Sequence, residues 1–267
     1  MFFKSKLSIF ASTLLVLMSL NVHSTVVEIR TSLGTIEVNL FDNTTPETVA
    51  NFLSYANSGA YASSVVHRSV SNFIVQGGGF QYTGPVAVNS FSLDSISTGT
   101  PVANDPKLSN MRGTIAMAKT SNPDSATSQW FINLSNNANS LDVATNAGGF
   151  TVFGQVVGDG MLVVDAIAAL TLLNGGGAFG ELPIRSYSQA DVDNEVPITD
   201  DNLVVISDIV VTDASADSAA NLNPTLNTLV NTTTGGGGSG ASGGGGAIGW
   251  LLLLGLVMLQ KTWLFKR

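Results

Sequence analysis

From Val26 to Leu40, apolar and polar residues alternate on both sides of a Ser32-Leu33-Gly34 turn. Val26-Val27-Glu28-Ile29-Arg30 leads in and Thr35-Ile36-Glu37-Val38-Asn39-Leu40 leads out, the pattern of a β-hairpin with one buried face. Shorter β-rich runs are expected at 64–68, 73–76, 113–119, 129–134 and 152–155, with a closing strand at 203–211. Stretches rich in Gly, Pro and Asn separate them. A chain of many short strands buries its apolar faces by curling into a barrel or packing as a sandwich.

Two helices interrupt this series. Thr45-Pro46-Glu47-Thr48 has an N-cap residue followed by Pro at the first helical position,. Val49, Phe52, Leu53 and Ala56 follow at helical spacing, and Gly59 is a natural stop,. A second helix is expected over about Met161 to Leu170, so that the strands carry helices at their ends. Leu172 to Asn202, with Gly175-Gly176-Gly177, reads as a long irregular stretch, either functional or mobile,.

The ends differ from the body. Lys4 and Lys6 precede an apolar run from Leu7 to Val22, and Val22-His23-Ser24 offers small-residue cleavage chemistry. Residues 1–24 therefore read as a secretory signal peptide. Residues 25–213 form the expected globular domain. Residues 214–246 are mostly Ala, Ser, Asn, Thr and Gly and read as a flexible linker,. Residues 247–267 combine the apolar stretch Ala247–Leu259 with Trp263, Lys261, Lys266 and Arg267, as a membrane-anchoring segment would,. Gly-rich, apolar and basic in that order, the C-terminus resembles the GlyGly-CTERM sorting signals of Gram-negative bacteria. That resemblance implies processing by an intramembrane protease and passage to the cell surface or medium; an ordinary inner-membrane tail anchor is the alternative. The expected location is the periplasmic side of the membrane.

Five of the 11 basic residues lie in the terminal segments, whereas all 19 acidic residues lie between Glu28 and Asp217. So acidic a body is repelled by nucleic acid, and none is expected as a partner. The chain has no cysteine, which excludes disulfides and thiolate metal sites,. Outside the signal the one histidine is His67, expected to be a packed structural residue. The body has no Gly-x-Ser-x-Gly elbow and no phosphate-binding loop,. Hydrolytic, metal-dependent and nucleotide-dependent readings are therefore set aside, and no cofactor is expected.

What the body does carry is a series of dense local motifs. His67-Arg68 precedes Phe73-Ile74-Val75-Gln76-Gly77-Gly78-Gly79-Phe80. Arg112-Gly113-Thr114-Ile115-Ala116-Met117-Ala118 follows, then Asp124-Ser125-Ala126-Thr127-Ser128-Gln129-Trp130-Phe131-Ile132-Asn133, then Val152-Phe153-Gly154-Gln155-Val156. In this order the blocks resemble the cyclophilins, and closely their exported bacterial branch, over about Val26 to Val211. The resemblance implies a mainly β fold: a closed eight-stranded antiparallel β-barrel capped by two α-helices. It also implies peptidyl-prolyl cis-trans isomerase activity that assists folding of exported proteins, with proline-containing polypeptides as partners. An anchored barrel on a long tether suggests a monomer.

Matching motif to motif, the resemblance gives Arg68 the catalytic role. Phe73, Ile74 (in place of the usual methionine), Phe131 and Leu141 match the apolar proline pocket. Gln76 and Gln129 match the polar groups beside it. Ala118 and Lys119 match the strand whose backbone holds the substrate, Lys119 replacing a common asparagine. Trp130 is expected to point inward. Ser140 and Phe150 stand where the family often has tryptophan and histidine, which implies weaker cyclosporin binding and altered substrate preference. A non-catalytic module that displays or holds proline peptides is the competing expectation.

Overall fold

The computed structural model describes residues 25–214 and 222–230. The expected signal peptide, the remainder of the expected linker and the C-terminal apolar segment lie outside the described residues. The strands are β1 (Val26–Thr31), β2 (Gly34–Leu40), β3 (Ser64–Val65), β4 (Arg68–Val70), β5 (Ile74–Gly77), β6 (Phe80–Gln81), β7 (Asp94–Ser95), β8 (Thr114–Met117), β9 (Trp130–Asn133), β10 (Val152–Val156), β11 (Thr171–Leu173), β12 (Leu182–Ile184) and β13 (Val205–Asp213). The helices are α1 (Pro46–Asn57), α2 (Ala138–Leu141), α3 (Gly160–Ala168) and α4 (Gln189–Asp193).

The expected hairpin is β1–β2, with Val27 opposite Val38 and Ile29 opposite Ile36, all four buried. The large sheet runs β4-β5-β9-β8-β10-β2-β1-β13-β3-β6-β7. Its two ends are halves of one bent hairpin. Arg68 faces Gln76 at one end and Ser64 faces Gln81 at the other, while the His67 N–H donates to the Gln76 carbonyl at 3.1 Å between them. Counting β3 with β4 and β5 with β6, eight antiparallel strands close into a barrel. The barrel and its two capping helices agree with the sequence reading.

The bend in that hairpin passes through Gly78, whose φ of +75° favours glycine,. A Cβ there would also lie 2.6 Å from the Ser128 carbonyl oxygen and 2.7 Å from Trp130 Nε1. The glycine run thus lets the strand turn while the indole fills the space beneath it.

Inward residues of the strands meet α1 and α3 in one core. α1 contributes Val49, Phe52, Tyr55 and Ala56; α3 contributes Val164 and Ile167. The ring of Phe52 lies 5.5 Å from that of Tyr61 and 5.1 Å from that of Phe153. Pro46 opens α1 as expected, and Gly59 follows its end at φ +74°. Thr45 stands at the N-cap, but its side chain caps no helix amide. The hydroxyl is buried against the carbonyls of Phe41 and Val152, 3.5 Å from each, because the helix start is pressed onto β10.

Two stretches carry more structure than their composition suggests. Within 172–202 lie most of the β11–β12 hairpin and α4, the latter closed by a Ser188–Asp191 capping box,. Phe179, Leu182, Ile184 and Ile198 from this stretch join Val65, Phe91, Leu93 and Leu203 in a separate apolar cluster outside the barrel. Residues 222–230, assigned by composition to the linker, lie along the barrel instead. The Ser109 N–H donates to the Thr225 carbonyl at 2.8 Å, the Asn227 N–H to the Lys107 carbonyl at 2.9 Å, and Asn227 Nδ2 to the Asp142 carbonyl at 3.0 Å. Among the described residues no helix is long and apolar enough to cross a membrane.

Phe52 is the aromatic keystone of α1. Phe52→Ala is expected to cost about 3–5 kcal/mol of unfolding free energy, read as a lowered urea midpoint with little change in slope. A loss below about 1 kcal/mol would mean that the site collapses around the deletion.

Candidate active site

Side chains alternate strictly across the part of the barrel formed by β5, β9 and β8. Val75, Trp130, Ile132, Ile115 and Met117 enter the inner core. Ile74, Phe131, Ala116 and Ala118 face the other way and join Phe41, Leu108, Leu141, Phe150 and Val152 in a second cluster, with Val70 and Phe73 packed against it. Period-two geometry makes both clusters from the same strands.

One rung of the sheet defines the site. Arg68 faces Gln76, Gln76 faces Phe131, and Phe131 faces Ala116. Laterally paired residues project on the same side, so the cation, the amide and the aromatic ring share the outer face. Arg68 and Phe131 sit two strand spacings apart, about 10 Å. The expected pocket residues Phe73, Ile74, Phe131 and Leu141 all belong to this outer cluster. Trp130 points inward, as expected, and is 1% exposed.

Gln76 and Gln129 are brought together more tightly than expected. Gln76 Nε2 donates to Gln129 Oε1 at 2.9 Å, so the two form one unit beside Arg68. Beyond Gln129 lies a shallow cavity of about 80 Å³ lined by Ala118, Lys119, Thr120, Ser125, Thr127 and Gln129. The Ala118 N–H already donates to the Gln129 carbonyl at 2.9 Å, so that group is engaged within the sheet. Lys119 also differs from a simple strand residue. It is buried, its Nζ donates to the Ala147 carbonyl and sits 4.4 Å from the centroid of the Phe150 ring. Burial lowers its pKa to about 8, opposed by the charge of Asp124.

Phe150, expected in place of a family histidine, packs edge-on to Phe131, with centroids 5.8 Å apart. Other contributors escaped the sequence reading. The buried carboxylate of Asp142 accepts from the Ser109 hydroxyl, the Asn110 N–H and Asn110 Nδ2, which fixes the turn that carries Leu141. Asn137 Nδ2 donates to the Phe73 carbonyl and to Asn133 Oδ1, tying the Phe73 backbone to the end of β9. Local spacing gives no sign of these long-range ties. Glu181, from the loop ahead of β12, is the other omission: its Oε2 accepts from Arg68 Nε at 2.9 Å. Among the described residues no group of three or more His, Cys, Asp or Glu is placed to hold a metal ion.

His67 lies beneath the site, fully buried, edge-on to Phe80 at 4.9 Å and to Phe179 at 6.4 Å. Burial lowers its pKa to about 4. The folded value lies below the unfolded one, so the unfolded chain takes up the proton first. The contribution to stability is full above about pH 6.5 and is lost as pH falls toward 4, by up to roughly 3 kcal/mol. A ring-proton NMR titration is expected to find His67 neutral at pH 5.5. A midpoint near 6.5 would contradict its burial.

Known proteins resemble this chain in sequence and fold. The sequence model of the family described as "Cyclophilin type peptidyl-prolyl cis-trans isomerase/CLD" matches residues 26–188. A peptidyl-prolyl cis-trans isomerase of Acinetobacter baylyi is 44% identical over 147 residues, covering 54% of this chain and 72% of its own length. Peptidyl-prolyl cis-trans isomerase A of Dickeya dadantii is 45% identical over 155 residues, 57% of this chain and 76% of its own. Peptidyl-prolyl cis-trans isomerase B of Escherichia coli is 40% identical over 145 residues, 53% and 82% respectively. The crystal structure of a Cryptosporidium parvum cyclophilin type isomerase superposes with a TM-score of 0.50 at 23% identity, covering 71% of this chain and 98% of that one, a likeness of fold. The chain belongs to the cyclophilin-type peptidyl-prolyl cis-trans isomerase family.

Proposed function

We propose that this chain is a peptidyl-prolyl cis-trans isomerase in which Arg68 supplies the catalytic charge and the outer apolar cluster holds the proline ring. The observation that carries this reading is the single rung on which Arg68, Gln76 and Phe131 project together. Amide resonance sets the barrier to rotation at roughly 18–20 kcal/mol. Left alone, an X–Pro bond exchanges in tens to hundreds of seconds. As the bond twists, the prolyl nitrogen becomes pyramidal and regains its lone pair. A guanidinium donor meets that lone pair only in the twisted state, so it stabilises the transition state over either ground state. Arginine suits this because it stays charged and presents its donors in a rigid fork. Phe131, Ile74, Leu141 and Phe73 grip the ring while the preceding carbonyl swings. The Gln76–Gln129 pair borders the path of the chain N-terminal to the proline. The step needs no proton transfer and no covalent intermediate.

Export belongs to the same proposal. Lys4, Lys6 and the apolar run Leu7–Val22 support secretion, and Gly235–Gly246 followed by Ala247–Leu259 supports retention at the membrane or sorting to the surface. Exported polypeptides rich in X–Pro bonds are then the substrates. Mass spectrometry of the native protein is expected to find a mature N-terminus close to Thr25; an intact Met1 would contradict secretion through a cleaved signal.

Arg68→Ala is expected to lower kcat/KM for a short Ala-Pro peptide at least about tenfold, the factor that corresponds to 1.4 kcal/mol in the barrier. Peptide binding, measured separately, is expected to persist. Unchanged turnover would remove Arg68 from the chemistry, and a wild-type rate no faster than buffer would leave a peptide-holding module.

A further inference from the structure

We propose that Glu181 is a positioning residue for the reaction: it holds the guanidinium of Arg68 by its Nε edge and leaves the terminal amino groups turned to the substrate. This inference rests on the reading of Arg68 given above. Arg68 Nε lies 2.9 Å from Glu181 Oε2, and among the described residues no hydrogen bond of the terminal nitrogens of Arg68 is found. Gln76, directly across the strand, directs its amide nitrogen to Gln129 instead. The restraint on the arginine therefore comes from a segment 113 residues away in sequence.

The backbone of Glu181 is itself held firmly. Its carbonyl accepts from the Ser69 N–H at 2.8 Å, next to Arg68, and the following Leu182 is fully buried. Two residues earlier, Phe179 packs against His67, Phe80 and Phe91, with centroids 6.4, 4.7 and 5.1 Å away. Phe179 also closes its own turn, its N–H donating to the Gly176 carbonyl and its carbonyl accepting from the Gly175 N–H, both at 2.9 Å. The carboxylate thus stands on a fixed base, although its side chain is 40% exposed. So exposed a pair adds little to stability. Its value lies in orientation: a free arginine side chain loses rotamer freedom when it engages a ligand, and a guanidinium held beforehand needs less reorganisation in the transition state.

The test compares wild type, Glu181→Ala, Glu181→Gln, Arg68→Ala and the double variant Arg68→Ala/Glu181→Ala on one Ala-Pro peptide. Glu181→Ala is expected to lower kcat about tenfold with KM within about twofold and thermal unfolding nearly unchanged. Glu181→Gln, which keeps a neutral acceptor, is expected to lose about threefold. The double variant is expected to be no slower than Arg68→Ala. In side-chain NMR the Arg68 Nε–H signal, protected in wild type, is expected to broaden away in Glu181→Ala. Wild-type kcat in Glu181→Ala beside a slow Arg68→Ala would overturn the role of Glu181, as would a further loss in the double variant. An Arg68→Ala as fast as wild type would instead overturn the reading of Arg68 itself.

Discussion

The two-residue period of β5, β8 and β9 is the constraint on which the rest depends. It sends Val75, Ile115 and Ile132 into the barrel and Ile74, Ala116 and Phe131 out of it. A slip of one residue in any of these strands would exchange the two sets. The inner cluster supplies the burial that holds the barrel together. The outer one gathers apolar side chains on the face that also carries the Arg68 cation, the combination that the proposed recognition of a proline ring and polarisation of its amide would require. Gly77 and Gly78 serve both faces, since Trp130 can fill the interior beneath them only where the strand carries no Cβ.

Around that rung the molecule adds restraints rather than further chemistry. Asp142, Asn110, Asn133 and Asn137 form a buried polar network that fixes Leu141 and the Phe73 backbone. Lys119, just past the end of β8, reaches to the Ala147 carbonyl, pinning the turn that brings Phe150 against Phe131. The stretch after α3 does the same on the arginine side through Phe179 and Glu181. On the proposed reading, a prolyl amide would be met by groups already in place, the condition under which electrostatic stabilisation is effective.

The elements visible in the sequence were those specified by local pattern. The β1–β2 hairpin follows from alternation around Gly34, and α1 from Pro46 with Val49, Phe52 and Ala56 at helical spacing. Phe73, Ile74 and Phe131 stand in motif blocks that keep their order, whereas Leu141 lies between blocks; the structure places all four in one cluster. Features fixed by distant contacts were not legible. Thr45 has the chemistry of a cap, yet its hydroxyl faces Val152, 107 residues away. Residues 222–230 look like linker by composition, because main-chain hydrogen bonds to Lys107 and Ser109 leave no mark in residue type. Glu181 is one acid among 19; only the closed barrel reveals which of them meets Arg68.

The most direct test of the account is exchange-spectroscopy NMR of an X–Pro peptide saturated with the Arg68→Lys variant, measuring binding and on-enzyme cis–trans exchange in one sample. Lysine keeps the positive charge but not the rigid fork. The account predicts affinity near that of wild type with exchange slowed at least about tenfold. Wild-type exchange on the lysine variant would contradict the claim that a fixed guanidinium meets the nitrogen lone pair as the bond turns.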